Sequence, residues 1–301
     1  MLKRNQKHIL LKFFSMFSVV RGYNILIVII AQYLASIYIF APQLTVKQVL
    51  LDINLLMLVL ASSVSIAGGY IINNFYDSEK DVINRPNKSM LDKLVSQNTK
   101  LSFYFVLNFL AIILASYVSF KAVVFFSVYI FGIWFYSHKL KRLTFLGNIT
   151  STLLTITPFF IVALHYSSFN TIVFLHAIFL FLIMLVRELT KDLENLKGDL
   201  TLNYKTIPIV YGIKKAKFLI SLLLILTLLP IYFLLTTKAV GLMSWYFYTC
   251  QILLLIYLFI LWKFNSKQHY NWLHNILKII LVAGVFCIIL IDIDLLLNKL
   301  L

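Results

Sequence analysis

Charge is scarce in this chain. Of 301 residues, 13% are charged and 11 are acidic, against 61% that are hydrophobic. A soluble core of this size needs far less apolar sequence, so the composition excludes a water-soluble globular protein. Cysteine is nearly absent. Cys250 and Cys287 both lie in apolar stretches without metal-ligand spacing, which excludes a thiolate metal centre and leaves packing as their role. Proline and glycine number 5 and 9, and no Pro/Gly/Ser linker or low-complexity tract divides the chain. Residues 1–301 therefore read as a single domain. The basic N-terminus, with Lys3, Arg4, Lys7 and Lys12, is followed by no small-residue cleavage site. It is expected to lead into the first spanning helix rather than to be a removable signal.

What the chain does have is long apolar runs. Runs of about 18 or more apolar residues mark helices that cross a bilayer. Nine are expected, centred near Val28, Leu60, Leu110, Tyr129, Thr155, Ile178, Ile225, Leu254 and Val285. The fold class is thus an all-α polytopic membrane bundle. The formal charge of +16 invites a nucleic-acid partner, but its distribution argues against one. With nine spans, all but four of the 27 Lys and Arg fall on the side of the N-terminus and the even-numbered connections. Lys47, Lys121, Lys238 and Lys299 are the four. The positive-inside rule then places the basic side in the cytoplasm.

The few acids are clustered. One group is Asp77, Glu79 and Asp81, with Asp92 further on, and the other is Glu188, Asp192, Glu194 and Asp199. Each ends an apolar stretch on the expected cytoplasmic side. Asn73, Asp77 and Asp81 recur every four residues; Glu188, Asp192, Asn195 and Asp199 recur at steps of four, three and four. Both spacings put oxygen side chains on one face of a helix, with Glu79 and Glu194 turned away. Oxygen-rich faces suit Mg²⁺, which binds through one or two carboxylates plus substrate phosphates. Two such ions bridging one diphosphate are the expected use, and solvated helix ends are the plain alternative. Candidates to neutralise the diphosphate are Arg21, Lys139, Lys141 and Lys191. Arg21, three residues before Asn24, shares a helical face with it.

The run Asn73-x-x-x-Asp77-x-x-x-Asp81, followed by Ile83-Asn84-Arg85-Pro86, resembles the first aspartate-rich motif of the UbiA-type intramembrane prenyltransferases. Lys191-Asp192-x-Glu194-Asn195-x-x-Gly198-Asp199, with Tyr204-Lys205-Thr206-Ile207-Pro208 and Gly212, resembles the second. Tyr136, Leu140-Lys141 and Gly147-Asn148 look like the loop after the family's fourth helix, and Arg21 with Asn24 like the Arg-x-x-Asn of its first. The resemblance covers residues 15–215. It departs from the family at Asn74 and Asn195, which stand where aspartates are usual, and at Leu91 and Lys93, which replace proline and glycine. The two asparagines are expected to take charge from the metal site, and Leu91 and Lys93 to alter the loop's path.

The resemblance implies Mg²⁺-dependent transfer of a prenyl group from an isoprenyl diphosphate to a lipophilic acceptor in membrane lipid. It makes Asp77, Asp81, Asp192 and Asp199 the catalytic acids and adds Asn73 and Asn195 as metal donors. Arg21, Tyr136, Lys141 and Lys191 become the diphosphate-binding group. Ionisation of the donor in a water-poor pocket would leave a carbocation that aromatic faces stabilise; Phe131, Trp134, Phe135, Phe159 and Phe160 are the candidates. The favoured acceptor is a glycerol-phosphate ether such as geranylgeranylglycerol phosphate, and an aromatic quinone precursor is the alternative. The expected location is a bacterial or archaeal cell membrane, with the site facing the cytoplasm. An anionic-substrate transporter is the rival class. It would need polar groups at the bilayer midplane, whereas these acids sit at helix ends on one side.

Overall fold

A computed structural model of the chain describes residues 4–237 and 239–292. Lys3, Lys238, Asp294 and Lys299, charged residues of the sequence, lie outside the described residues. In chain order the helices are α1 (Arg4–Val20), α2 (Gly22–Ala35, continuing as a π turn Ser36–Phe40), α3 (Val46–Leu50), α4 (Ile53–Tyr76), α5 (Ser78–Asn84), α6 (Pro86–Asp92), α7 (Gln97–Val118), α8 (Phe120–His138), α9 (Leu146–His165), α10 (Thr171–Glu194), α11 (Leu196–Thr201), α12 (Ile207–Val210), α13 (Ile213–Thr236), α14 (Ser244–Lys263) and α15 (Lys267–Cys287). Nine of these among the described residues are long and apolar enough to cross a membrane: α2 with its π turn, α4, α7, α8, α9, α10, α13, α14 and α15. Each of the nine expected centres falls inside one of them.

Local chemistry sets many boundaries. Ser96, Ser119, Asn170 and Ser266 each accept a backbone N–H three residues on, capping α7, α8, α10 and α15. Proline opens α6 and α12, where a missing N–H costs no helical bond. The start of the first span departs from the sequence expectation. Arg21 is not inside a helix: α1 stops at Val20, and Arg21 takes a left-handed φ of 50° before α2 begins. A Cβ on Gly22 would lie 2.1 Å from the ring of Phe17, five residues earlier, so the glycine leaves room for that ring at the junction of α1 and α2.

The described chain forms two compact units. The first comprises Met1–Ile29 and Leu56–Leu140. In it α7 packs on α8, α5 on α6 and α1 on α6. Gly68 and Gly69 open the side of α4: a Cβ there would come within 2.9 Å of Asn108 and 3.0 Å of Ile133. The second comprises Ile30–Leu55 and Lys141–Leu301. Its central element is α10, which packs on α9, α13 and α15. Ile183, Val186, Phe247, Tyr257 and Leu261 are among its fully buried core. Some polar side chains inside these helices find partners. Gln32 Nε2 donates to the Pro158 carbonyl at 2.8 Å, and the Thr190 and Tyr257 hydroxyls meet at 2.5 Å, tying α10 to α14.

Candidate functional site

The first motif lies at the end of α4, in the first unit. It does not occupy one uninterrupted helix, because α4 ends at Tyr76 and α5 begins at Ser78. The helical hydrogen bonds nevertheless run through the junction: Asp77 N–H to Asn73 O at 2.9 Å, Asp81 to Asp77 at 2.9 Å, Arg85 to Asp81 at 2.8 Å. The four-residue spacing of Asn73, Asp77 and Asp81 therefore keeps its meaning through the break. Burial and then the neighbouring Asp77 push the Asp81 carboxyl above the usual range, against the pull of Lys88, Arg85 and Arg21. A carboxylate held in that balance gains from an added cation.

Arg21 reaches this region although its backbone is not helical. Its guanidinium sits 5.1 Å from the Tyr70 ring centre, and Asn24 Nδ2 donates to the Tyr70 hydroxyl at 3.2 Å. The shared helical face expected for Arg21 and Asn24 is replaced by shared contact with one tyrosine. Lys88 and Arg85, which the sequence reading did not select, also bear on Asp81. Burial and then Arg21 lower the Lys88 ammonium, while Asp92 and Asp81 raise it. Their signal was basic residues one and two turns after Asp81 along a helical path. Tyr136 is half-buried on α8 of this unit. Of the aromatics, Phe131 is 59% exposed, and Trp134 stacks on His138 at 5.4 Å.

Asn74 is buried with partners of its own: Nδ2 donates to Asp92 Oδ2 at 2.8 Å, and Oδ1 accepts from Lys100 Nζ at 2.9 Å.

The second motif lies in the second unit. Asp192, in the last turn of α10, accepts a hydrogen bond from Asn148 Nδ2 at 2.8 Å. Asn148 stands in α9 and was noted only as part of a loop; an amide in an apolar helix was the available sign. Asn195 joins α10 to α11 and is 5% exposed. Its Oδ1 is buried with no hydrogen-bond partner among the described residues. Asp199, on α11, is fully buried; its N–H bonds Asn195 O at 3.1 Å and its carbonyl accepts from Tyr204 N–H at 2.9 Å. The loop beyond is pinned as well. Thr144 Oγ1 donates to Lys205 O at 2.6 Å, and Lys205 N–H donates to Arg142 O at 3.2 Å. Lys141, half-buried, precedes that contact.

Lys191 is drawn to its own helix. Its Nζ lies 3.2 Å from Glu188 Oε2, and Arg187 Nη1 lies 3.7 Å from Glu188 Oε1. Glu188 is thus balanced by protein cations. Glu194 Oε2 faces His274 Nδ1 of α15 at 3.7 Å. Among the described residues no three His, Cys, Asp or Glu are arranged to hold a metal ion by themselves. The donors in each motif still fit a hard cation: carboxylates, one neutral amide oxygen, and in the second motif a buried oxygen that lacks a donor.

The model of the UbiA prenyltransferase family matches residues 29–275. The digeranylgeranylglyceryl phosphate synthase of Thermococcus gammatolerans is 34% identical over 167 residues, 54% of this chain and 59% of that one. The synthase of Thermococcus sibiricus is 36% identical over 149 residues, 49% and 53% of the two chains. The chain thus spans less than two thirds of the length of these relatives. Among solved structures, one concerning digeranylgeranylglyceryl phosphate synthase in membranes superposes with a TM-score of 0.70 at 21% identity, over 92% of this chain and 97% of the other. A UbiA homologue from Archaeoglobus fulgidus, solved with GPP and Mg²⁺, superposes with a TM-score of 0.66 at 13% identity, over 91% and 99%.

Proposed function

The chain belongs to the UbiA prenyltransferase family, and from that premise we propose that it transfers a prenyl group from an isoprenyl diphosphate to a lipophilic acceptor in the membrane, with Mg²⁺ as cofactor. The single observation that carries the metal reading is Asn195 Oδ1, a buried oxygen with no hydrogen-bond partner among the described residues, in the motif that also holds Asp192 and Asp199. A polar atom is costly to bury unmatched, and a cation there removes the cost.

Asp77 and Asp81 with Asn73, and Asp192 and Asp199 with Asn195, are the proposed Mg²⁺ donors. When bound, Mg²⁺ neutralises the charge that gathers on the departing diphosphate. Arg21, Tyr136, Lys141 and Lys191 are the proposed contacts to the diphosphate itself, to which Arg85 and Lys88 are added from their place beside Asp81. Asn148 orients the Asp192 carboxylate. The apolar helices supply a medium in which water competes poorly for a cationic prenyl carbon. The names of the Thermococcus relatives support a glycerol-phosphate ether such as geranylgeranylglycerol phosphate as acceptor. The basic residues on the side that carries both motifs support a cytoplasmic orientation.

The test is purified protein with a radiolabelled isoprenyl diphosphate, Mg²⁺ and a panel of acceptors that includes geranylgeranylglycerol phosphate and 4-hydroxybenzoate. Product is expected with the glycerol-phosphate ether, and none in EDTA or with Asp77→Ala or Asp199→Ala. Full turnover in EDTA sinks the metal reading; product with the aromatic acid alone moves the acceptor to the quinone-precursor class.

A further inference from the structure

Asn74 ends one turn of α4 beside Asn73, yet its side chain faces the interior of the first unit. It is 8% exposed, and its partners are more hidden still: Asp92 at 4% and Lys100 at 2%. The three come from three elements. Asn74 closes α4, Asp92 closes α6, and Lys100 lies in the first turn of α7 with its N–H bonded to Ser96 O. The Asn74 amide serves both neighbours at once, donating to Asp92 and accepting from Lys100. Its N–H must point to a carboxylate and its oxygen to an ammonium, so the partners fix its orientation. A carboxylate in its place would have no hydrogen to give Asp92 and would set two negative charges against one lysine.

The segment closed by this node is the one that bears on the first motif. Between Asp77 and Asp92 the chain carries Asp81, Arg85 and Lys88, whose charges act on one another. Its far end is held a second time, by Ser15 Oγ donating to Leu91 O at 2.8 Å. With α4 fixing one end and Asn74 drawing Asp92 back to α4, the α5–α6 segment forms a closed loop on its own root. We propose that Asn74, with Asp92 and Lys100, is a positioning node that sets Asp81, Arg85 and Lys88 for the Mg²⁺–diphosphate end of the donor. This rests on the prenyltransferase reading and deepens it. It also gives the asparagine at position 74 a role: its amide donates to Asp92 and accepts from Lys100, which a carboxylate there could not do.

The test measures binding of Mg²⁺ with geranylgeranyl diphosphate to the purified full chain by calorimetry, alongside melting temperature and the acceptor KM. Asn74→Asp should weaken donor binding by about 10- to 100-fold, the usual scale for a lost supporting partner of a metal ligand. The melting temperature should fall, because a second carboxylate is buried beside Asp92, while the acceptor KM should stay near wild type. The exchange Asn74→Asp with Asp92→Asn restores one amide, one carboxylate and one ammonium, and should recover donor affinity. Asn74→Ala removes the amide without adding charge; it should weaken donor binding in the same sense, and it keeps the test open if the charged variant does not fold. Wild-type donor affinity in Asn74→Ala or Asn74→Asp, a loss matched by an equal rise in acceptor KM, or failure of the exchange to recover binding overturns the node. Absence of donor binding by the wild type overturns the prenyltransferase reading instead, and the node with it.

Discussion

The side-chain amide of Asn148 donates to Asp192 Oδ2 at 2.8 Å, so a residue of α9 aims an acid of α10. The two residues are 44 positions apart and belong to helices that pack directly on each other. A ligand held by a second residue loses less freedom when it meets a metal, and its geometry is set beforehand.

Asn148→Ala should therefore lower kcat/KM and raise the Mg²⁺ needed for half-maximal turnover, each by about 10- to 100-fold. Melting temperature should change little by comparison. Wild-type metal dependence in this variant would falsify the orienting role.

Two residues compete for the charge that Asn195 does not carry. Glu188 is already balanced by Lys191 at 3.2 Å and Arg187 at 3.7 Å, whereas Asn195 Oδ1 has no hydrogen-bond partner among the described residues. Asn195 is the better metal donor on that ground. Asn195→Asp should lower the half-maximal Mg²⁺ concentration, since a carboxylate binds a hard cation better than a neutral amide. Glu188→Gln should leave it near wild type. The reverse pattern in a metal titration places the ligand at Glu188.

Acid stability should depend on Asp52. Burial raises its carboxyl, but hydrogen bonds from His165, the Leu55 N–H and Tyr166 outweigh it and hold the group below the ordinary range. A depressed folded value means that its contribution is full above the unfolded value of about 4. That contribution is lost as pH falls through the folded one. Melting temperature in detergent should drop as pH is lowered below about 4, and Asp52→Ala should show a smaller drop. At neutral pH the same variant should cost about 1 kcal/mol, because Oδ1 also accepts the Asn54 and Leu55 N–H groups at the start of α4. An unchanged acid profile in Asp52→Ala counts against this account.

Orientation can be read from single cysteines. Asn98, in the first turn of α7, and Gln43, in the turn after the first span, are both exposed. On intact cells a membrane-impermeant thiol reagent should reach Gln43→Cys and not Asn98→Cys. The opposite pattern inverts the topology. Ser15 is unsuitable as a reporter, because it is fully buried and bonded to Leu91 O.

The sequence carried the nine spans because each is a continuous apolar run. Helical counting also located both motifs. It could not orient Asn74, whose partners are 18 and 26 residues away, nor pair Asn148 with Asp192. The break at Arg21 escaped for a different reason: the approach of Phe17 to Gly22, five residues on, is local but leaves no mark in apolar periodicity. Lys191 shows a further limit, since a lysine near an acid cluster can answer its own neighbour, Glu188, as readily as a ligand.

Arg21 places two demands on one position. A left-handed backbone at a non-glycine residue costs about 1–2 kcal/mol, and glycine is the residue that relieves it. Glycine at 21 would also delete the guanidinium that lies over Tyr70 and acts on Asp81. A search for thermostable variants scored by melting temperature alone would thus favour Arg21→Gly and discard the proposed diphosphate contact with it, whereas selection for the proposed turnover would keep a residue that folds less comfortably.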